Sequence, residues 1–564
     1  MWHPFGTCLC MIIKKVARFF VYFLCVCVLL VIGAQVTFNH YINKKVILYL
    51  QTQVTEVSHG AYSLQLENIE LSLIGRSLVF NKLKFTPTGT CVNCAETQYG
   101  ITADDVKLEG LGIIAYLKNK QAVAENVEFG NLSISIYQGT QILPKKSKDS
   151  LKTTSFSIYR AISKKLEALT IRTIDINNAK IRMYRNGTEQ IFSSEKNYID
   201  IKNFTINKTV EQLDRLFLAD TFNISMKTFS YQMGKGMYTL LGQNMNASYT
   251  DSVLTIDSLT LAPNYDKKEF GKMAGKQVSR TDIHTGKISF TKMNVKLFIE
   301  HNWFVAKKLD IDNLLVYVYR DKNMQFKNIV KPSIQLLVRQ IPFFISVDSI
   351  GIHNANITYD DLEPGAAKAG SISFNRLNGS IIGLQNDTSI YTENSNLKLK
   401  ATAYVMDKGR LDAFYSFALN SPKEIFTCSG KLYEMDLNAV NPMLESSAHI
   451  HVKTGKIDSL VFSFNANDIN SKGSMKFMYH NLEVELLDKT DQGQDTKHQL
   501  LSFIAKQFVI SEQNPSKGKP VRITPIYFPR DPYRFFFYYT WKSLQSAIMP
   551  AIGLPKGFKM NKKA

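Results

Sequence analysis

One pattern of apolar positions recurs along the chain: two apolar residues spaced by one residue, a step of two residues, then two more apolar residues spaced in the same way. Alternation within each half has the period of a β-strand, because successive side chains of a strand point to opposite faces. The pattern is repeated in the segments 64–71 (LQLENIEL), 78–85 (LVFNKLKF), 101–108 (ITADDVKL), 127–134 (VEFGNLSI), 169–176 (LTIRTIDI), 199–206 (IDIKNFTI), 224–231 (ISMKTFSY), 254–261 (LTIDSLTL), 288–295 (ISFTKMNV), 309–316 (LDIDNLLV), 345–352 (ISVDSIGI) and, more weakly, 455–462 (GKIDSLVF). A repeated β architecture is therefore predicted.

The two-residue step decides which way these strands face. Strict alternation would place Leu254 and Ile256 on one face and Leu259 and Leu261 on the other, whereas one extra residue, as in a β-bulge, returns all four to the same face. A tight hairpin at the step is the alternative, but the mirror-image turns that it needs favour Asn-Gly, and this sequence has Asp-Ser there. We expect a curved sheet with a single apolar face.

Helical segments are few. The best candidates are 208–220, 331–344, 437–447, 496–508 and the C-terminal stretch. Short helices cannot cover the apolar face of a sheet of roughly twenty strands, so this face either folds on itself or stays open as a groove for an apolar ligand. The predicted fold is mainly β: an N-terminal transmembrane helix, then an elongated, curved, repetitive antiparallel β-sheet that forms an apolar groove, with a few short helices including an amphipathic one at the C-terminus.

The groove is expected to be lined by the apolar positions of four of these segments. The candidates are Leu64, Leu66, Ile69, Leu71, Leu169, Ile171, Ile174, Ile176, Leu254, Ile256, Leu259, Leu261, Ile345, Val347, Ile350 and Ile352.

The N-terminal segment predicts on which side of a membrane the rest of the chain lies. No charged residue occurs from Phe19 to Phe38, a run that as a helix spans about 30 Å, the thickness of the hydrocarbon core of a bilayer. Lys14, Lys15 and Arg18 precede it and favour a cytoplasmic N-terminus, with the rest of the chain outside the cytoplasm. A cleaved signal peptide is the alternative, although the apolar run is long for one.

Charge and motifs narrow the classes of function. Lys and Arg exceed Asp and Glu by 68 to 48, a net charge of +20, which suits a phosphate-bearing partner. Since no arginine-rich tract, zinc-finger spacing or helix-turn-helix pattern accompanies this excess, lipid head groups are favoured over nucleic acid.

The sequence contains no Gly-rich phosphate loop, GxSxG elbow, HExxH helix or paired CxxC. Cys91 and Cys94 form a lone CxxC, which either closes a local disulfide or has no role, because two sulfurs supply only half of a zinc site. The expectation is a protein without enzymatic activity, cofactor or metal.

The aromatic stretch 530–557 predicts a helix from Asp531 to Met549, too interrupted by charge and by Pro550 to span a membrane. Its stripe of Phe537, Trp541, Leu544 and Ile548 either packs on the last strands or lies at a membrane surface, with the Lys-rich tail 556–564 against anionic lipid.

Several segments resemble the AsmA family of Gram-negative envelope proteins, relatives of TamB. They are the early LENIELSLIGRSLVFNKLKFTP (66–87), the repeated IDSLTL-type strands, and a C-terminal block from Gly430 to Lys489, with a DLN phrase before a helix and a Gly-rich hairpin. The resemblance implies an inner-membrane, single-pass protein whose bulk lies in the periplasm.

The same resemblance implies a role in outer-membrane biogenesis and the movement of phospholipid between membranes. Expected partners are phospholipid, the inner membrane through the N-terminal helix, and outer-membrane or envelope proteins, but not nucleic acid. A non-enzymatic scaffold or assembly factor for envelope proteins is the alternative function. The expected divisions are a cytoplasmic N-terminus (1–15), an anchor (16–40), a repeating β-groove (46–425), an AsmA C-terminal-like domain (426–495) and a helical, aromatic tail (496–564).

Overall fold

The computed structural model describes residues 33–89, 97–138, 166–210, 218–301, 303–487 and 510–554. These residues are mainly β, with 24 strands in mixed pairings and a few short helices. They divide into two compact units. Unit 1 comprises Met1–Phe229 and Asn246–Thr250, and unit 2 comprises Ser230–Met245 and Asp251–Ala564.

The described chain enters unit 1 as a helix, with a π-helical turn at Phe38–Ile42 followed by α1 (Asn43–Val57). Two amides of this helical segment hold a strand edge: Asn43 Oδ1 accepts the Ile69 N–H at 3.0 Å and Asn39 Oδ1 accepts the Leu71 N–H at 2.9 Å. Within the described residues, no helix is both long and apolar enough to cross a membrane. Most of the predicted span 19–38 lies outside those residues.

Strands of unit 1 follow the predicted segments closely. They are β1 (Tyr62–Gln65), β2 (Asn68–Ser72), β3 (Ser77–Pro87), β4 (Gln98–Glu109), β5 (Gln121–Gly130), β6 (Ser133–Gln138), β7 (Ala168–Arg185) and β8 (Glu189–Ile206), with α2 (Ile113–Asn119) between β4 and β5. Strands β9 (Thr221–Met233) and β10 (Tyr238–Ser248) follow.

In unit 1, β5 and β6 are two halves of one interrupted strand, because both pair in parallel with β7, first along 168–176 and then along 180–185. Asn131 lies at the interruption, and its positive φ of 47° is a left-handed conformation that Asn tolerates better than most residues. Strand β7 has its own irregularity at Asn178, which also has a positive φ, followed by the fully buried Ala179.

The first half of unit 2 contains the same arrangement. Its elements are β11 (Val253–Pro263), α3 (Lys267–Ala274), β12 (Ser279–Thr285), β13 (Ile288–Thr291), α4 (Val295–His301), β14 (Phe304–Asp312), β15 (Leu315–Asp321), α5 (Ile334–Arg339), β16 (Ile345–Leu362) and β17 (Gly370–Gln385). Strands β14 and β15 pair in parallel with successive halves of β16. Asn313, Asn354 and Ala355 occupy the positions that Asn131, Asn178 and Ala179 occupy in unit 1. The chain therefore carries two copies of one structural module.

The prediction of an antiparallel sheet was wrong, because the pairing is mixed. Parallel pairs occur where β5 and β6 meet β7 and where β14 and β15 meet β16. In unit 2, the connection 322–344, which includes α5, is long enough to bring the chain back in the same direction. Alternation within a strand fixes which side each residue faces but not the direction of the neighbouring strand.

The remainder of unit 2 is a helix-covered sheet. Its elements are β18 (Asn396–Val405), β19 (Gly409–Ala418), β20 (Phe426–Leu432), β21 (Met435–Asp436), α6 (Asn441–Ala448), β22 (Ile450–Ala466), β23 (Asn470–Leu486), β24 (Ile523–Pro529) and α7 (Phe536–Ala551), with 3₁₀ turns at Thr388–Ile390 and Leu437–Val440. Helix α7 packs on β23 and β24. The resulting core draws residues from both sides of the predicted boundary at 425, from Val338 to Ala551.

Outcomes for the predicted helices differ. Those at 331–344 and 437–447 are confirmed by α5 and α6, and the C-terminal one by α7. The candidate at 496–508 lies outside the described residues, as does most of the one at 208–220. Helix α7 begins at Phe536 and not at Asp531, because the Asp531 carboxylate accepts the Tyr533 N–H at 2.9 Å in a turn that precedes the helix.

Candidate functional site

The apolar face of unit 1 is a continuous cluster of side chains on neighbouring strands. It consists of Phe80, Leu83, Ile101, Ala103, Val106, Leu108, Val127, Phe129, Leu132, Ile134, Ile171, Ile174, Ile176 and Ala179. All four apolar positions of ITADDVKL and of VEFGNLSI belong to it. The prediction that the step returns both halves of each segment to one face is therefore confirmed here.

A hairpin at the step is excluded for the segments 78–85 and 101–108. Residues on both sides of the step in β3 pair with the single strand β4, from Leu78↔Leu108 to Phe85↔Ile101. The strand continues past the step, which a turn would not allow.

Polar side chains at the step tie neighbouring strands together. Lys82 has a positive φ of 52°, and its ammonium lies 2.9 Å from Asp104 Oδ1. Asn131 Nδ2 donates to the other carboxylate oxygen, Asp104 Oδ2, at 2.7 Å. A residue in the left-handed conformation shifts the alternation of side chains between the two faces of the sheet by one position. These hydrogen bonds hold the step of one strand beside the step of its neighbour.

The apolar face of unit 1 is only partly removed from water. Its centre, including Ala103, Val127 and Ala179, is buried, while Ile101 and Phe129 are half-buried. Among the described elements of unit 1, the substantial contacts of these strands are with neighbouring strands, with α1 beside β1 and β2, and with α2 beside β5. Within the described residues of unit 1, no second layer is packed over this face, in contrast to the α7-covered core of unit 2.

Side chains on the opposite face of the same strands are charged. Lys107 is paired with Glu109, and Arg172 Nε lies 3.0 Å from Glu125 Oε2. Ion pairs this exposed contribute little to stability. One face of the sheet is therefore charged and exposed to water, whereas the other is apolar.

The predicted groove residues occupy comparable environments. Ile69, Ile256, Val347 and Ile350 are buried, and the other predicted residues, Leu64, Leu66, Leu71, Leu169, Ile171, Ile174, Ile176, Leu254, Leu259, Leu261, Ile345 and Ile352, are half-buried. The structure brings Ile171, Ile174 and Ile176 into the apolar face of unit 1.

Sequence reasoning missed the centre of this face. Ala103 and Ala179 were not candidates because alanine is a weak signal of a core, although Ala103 holds an apolar position of a recognised segment. The sequence did contain a signal for Ala179. The segment 169–181 (LTIRTIDINNAKI) has the same pattern of apolar and polar positions as 345–357 (ISVDSIGIHNANI), where Ala355 holds the corresponding position.

In unit 2, the parallel pair β15 and β16 ends in a buried ionic cluster. Arg320 donates from Nε and from an Nη atom to the two oxygens of Asp361, both at 2.9 Å, and Lys322 lies 2.8 Å from the same carboxylate. The Tyr359 hydroxyl donates to Asp361 Oδ1 at 2.8 Å. Burial alone would raise the pKa of Asp361, but Arg320 and Lys322 outweigh it, so the pKa lies below its usual value.

Helix α7 packs through a face that includes only half of the predicted stripe. Tyr539, Ser543 and Ala547 are buried against the sheet, and Leu544 and Ile548 pack beside them. Phe537 and Trp541, at the other predicted positions, are exposed. The helix therefore closes the core and leaves part of its aromatic surface in water.

Within the described residues, no three His, Cys, Asp or Glu side chains come together as metal ligands. Cys91 and Cys94 lie outside those residues. Cys428 is a buried free thiol beside the Tyr415 ring, and burial raises its pKa to about 12.

No model of a known protein family matches the chain, and no curated protein is similar to it in sequence. The resemblance to the AsmA family therefore rests on the segments quoted above and stays a prediction.

Proposed function

We propose that this protein binds phospholipid acyl chains along the apolar faces of its strands and moves lipid between the membranes of a bacterial envelope, without covalent chemistry. The observation that supports the proposal most directly is the apolar face of unit 1, which is continuous across several strands and is not covered by a second layer within the described residues of that unit.

The physical gain comes from the hydrophobic effect. Moving an acyl chain from water to such a face gains about 0.8 kcal/mol for each buried methylene. An unliganded face of even a few hundred Å² would cost several kcal/mol at about 25 cal/mol per Å². Side chains that are half-buried, such as Ile101 and Phe129, are positioned to contribute their remaining surface.

The membrane and envelope parts of the proposal rest on the sequence. The uncharged run from Phe19 to Phe38 with basic residues before it suits a single anchor with a cytoplasmic N-terminus. The AsmA-like segments suit an inner-membrane protein whose strands lie in the periplasm and serve outer-membrane biogenesis.

Photo-crosslinking at two adjacent positions tests acyl-chain binding. Phe129 belongs to the apolar face, whereas Glu128 points to the charged face of the same strand. With p-benzoyl-phenylalanine at position 129 of the full-length protein in cells, we expect a phospholipid adduct, detected by mass spectrometry. The same probe at position 128 is the matched control and should give none. Equal labelling at both positions, or none at 129, would contradict the proposal.

A scaffold that binds envelope proteins by strand addition is the second candidate. It needs a free strand edge, but at β2 the amides of Asn39 and Asn43 already occupy the N–H groups of Leu71 and Ile69. That occupancy closes the β2 edge to strand addition. For a scaffold, polar substitutions within the apolar face, such as Phe129→Ser, should leave function intact in cells.

A further inference from the structure

An aromatic and aliphatic patch lies on unit 2 where α7 begins. Val330 is 67% exposed, Phe535 51%, Phe537 49% and Trp541 40%, and Ile329 is also exposed. Phe537 and Trp541 are four residues apart and therefore lie on one side of the helix. These five side chains are called the terminal patch below.

The terminal patch is formed by two segments of the chain that contact each other. The Lys331 N–H donates to the Pro532 carbonyl at 2.8 Å, and the Lys331 ammonium lies 5.0 Å from the centre of the Phe535 ring. Arg534 stacks on Phe326, with 3.8 Å between its guanidinium carbon and the ring centre. The loop 326–331 and the start of α7 therefore present a single surface.

This surface is not needed to close the core. Helix α7 buries Tyr539, Ser543 and Ala547 on its other side, where Ser543 Oγ lies 2.7 Å from Ser471 Oγ. Large rings left in water beside a well-packed face mark an interaction site more often than an accident of folding.

The charges around the terminal patch are basic. Lys331, Arg530, Arg534 and Lys542 border it, and the carboxylate of Asp531 accepts the Tyr533 N–H and lies 3.9 Å from Arg534 Nε. Burial is the main cause of the lowered pKa of Lys331, and the like charge of Lys276 adds to it.

We infer that the terminal patch docks on an anionic phospholipid bilayer, with Phe535, Phe537 and Trp541 at head-group level and the surrounding basic side chains against lipid phosphates. Aromatic rings favour this interfacial depth, and basic residues strengthen binding to anionic lipid. Phe537 also lies 6.1 Å from Tyr359 and 6.2 Å from Phe374, between ring centres. Docking would thus place a bilayer beside β16 and β17, so that lipid bound along these strands of unit 2 would have an exit; in this respect the inference rests on the proposed function.

Vesicle flotation tests the inference with the full-length protein held in nanodiscs of phosphatidylcholine. The probe vesicles contain either phosphatidylcholine alone or phosphatidylcholine and phosphatidylglycerol in roughly a two-to-one ratio. We expect about tenfold stronger binding to the anionic vesicles, weakening as salt rises. The double variant Phe535→Ser with Trp541→Ser should lose about tenfold in binding to them. Phe414→Ser, which removes an exposed phenylalanine of β19 in the same unit, is the matched control and should bind as the unmodified protein does.

Circular dichroism of each variant checks folding. If the aromatic variant unfolds, Lys331→Gln with Lys542→Gln provides the test, and it should remove most of the preference for anionic vesicles. Unchanged binding in both patch variants, or equal binding to neutral and anionic vesicles, would overturn the inference. The photo-crosslinking experiment at position 129 is independent of vesicle flotation. If the protein binds anionic vesicles but gives no lipid adduct at position 129, the result counts against the proposed function alone.

Discussion

Single left-handed residues determine which way each interrupted strand faces. Asn313 has a positive φ of 49° between β14 and β15, and its Oδ1 accepts a hydrogen bond from Asn354 Nδ2 at 2.8 Å. Asparagine reaches this conformation at low cost, whereas a residue branched at Cβ does not. The apolar face depends on such residues although none of them is apolar.

Substitution of Asn313 tests this role. Asn313→Val should lower the free energy of unfolding by about 2 kcal/mol, because valine is strained at positive φ. Asn313→Gly should cost less than about 1 kcal/mol, since glycine relieves the strain and loses only the side-chain hydrogen bond. Urea denaturation of both variants measures the difference. Equal losses would mean that the backbone conformation is not the reason for the asparagine.

Asp361 carries a second prediction at this scale. Its side chain is 8% exposed and its partner Arg320 19% exposed, so Asp361→Asn leaves a buried cation short of its counter-charge and should cost about 3 kcal/mol at neutral pH. Asp407→Asn breaks the exposed pair with Arg376 and should cost less than about 0.5 kcal/mol.

The pH dependence of this effect follows from the lowered pKa of Asp361. A depressed folded-state pKa stabilises the protein above the unfolded pKa of about 3.9. That contribution is lost as the pH falls through the folded-state value. The stability gap between the unmodified protein and Asp361→Asn should therefore shrink below about pH 4. A gap that stays constant between pH 7 and pH 3 would show that the charge of Asp361 is not what stabilises the site.

At the scale of elements, α7 combines a packed face with an exposed one. Thr524 Oγ1 donates to the Ala547 carbonyl at 2.9 Å, and Phe536 contacts the rings of Tyr415, Phe417 and Phe426. The helix thus supports the last strands whether or not its other side touches a membrane.

One substitution on each face of α7 distinguishes the packed face from the exposed one. Ala547 is fully buried, so Ala547→Leu should destabilise the protein by about 1–3 kcal/mol through steric strain. Trp541→Leu, on the exposed side, should leave the free energy of unfolding nearly unchanged and reduce binding to anionic vesicles. Thermal unfolding of both variants measures the change in stability, and vesicle flotation measures the change in binding to anionic vesicles. Equal destabilisation by the two substitutions would contradict this division of the helix.

For the whole molecule, the duplicated module predicts more than one acyl-chain site. Ala179 in unit 1 and Ala355 in unit 2 are both fully buried behind a left-handed asparagine, and both units have parallel-paired interrupted strands. If each copy binds lipid, Phe129→Ser should remove only part of the lipid that copurifies. Native mass spectrometry should then show fewer bound lipids per chain, but not none. Complete loss from this single substitution would show that the copy in unit 2 does not bind lipid on its own.

The sequence by itself determined the strands, the repeat and, in unit 1, the single apolar face, because alternation and the two-residue step are local properties that show in a short stretch such as ITADDVKL. It also indicated α5, α6 and α7, whose apolar spacing is helical. Only the tertiary structure decided the parallel pairing of β15 with β16, the ion pair of Arg320 with Asp361 and the face through which α7 packs. These features join residues far apart in the chain, so they depend on which strands meet. The stripe from Phe537 to Ile548 was divided between core and surface for the same reason: a helical period places residues on one side, but the neighbouring strands select which side is buried.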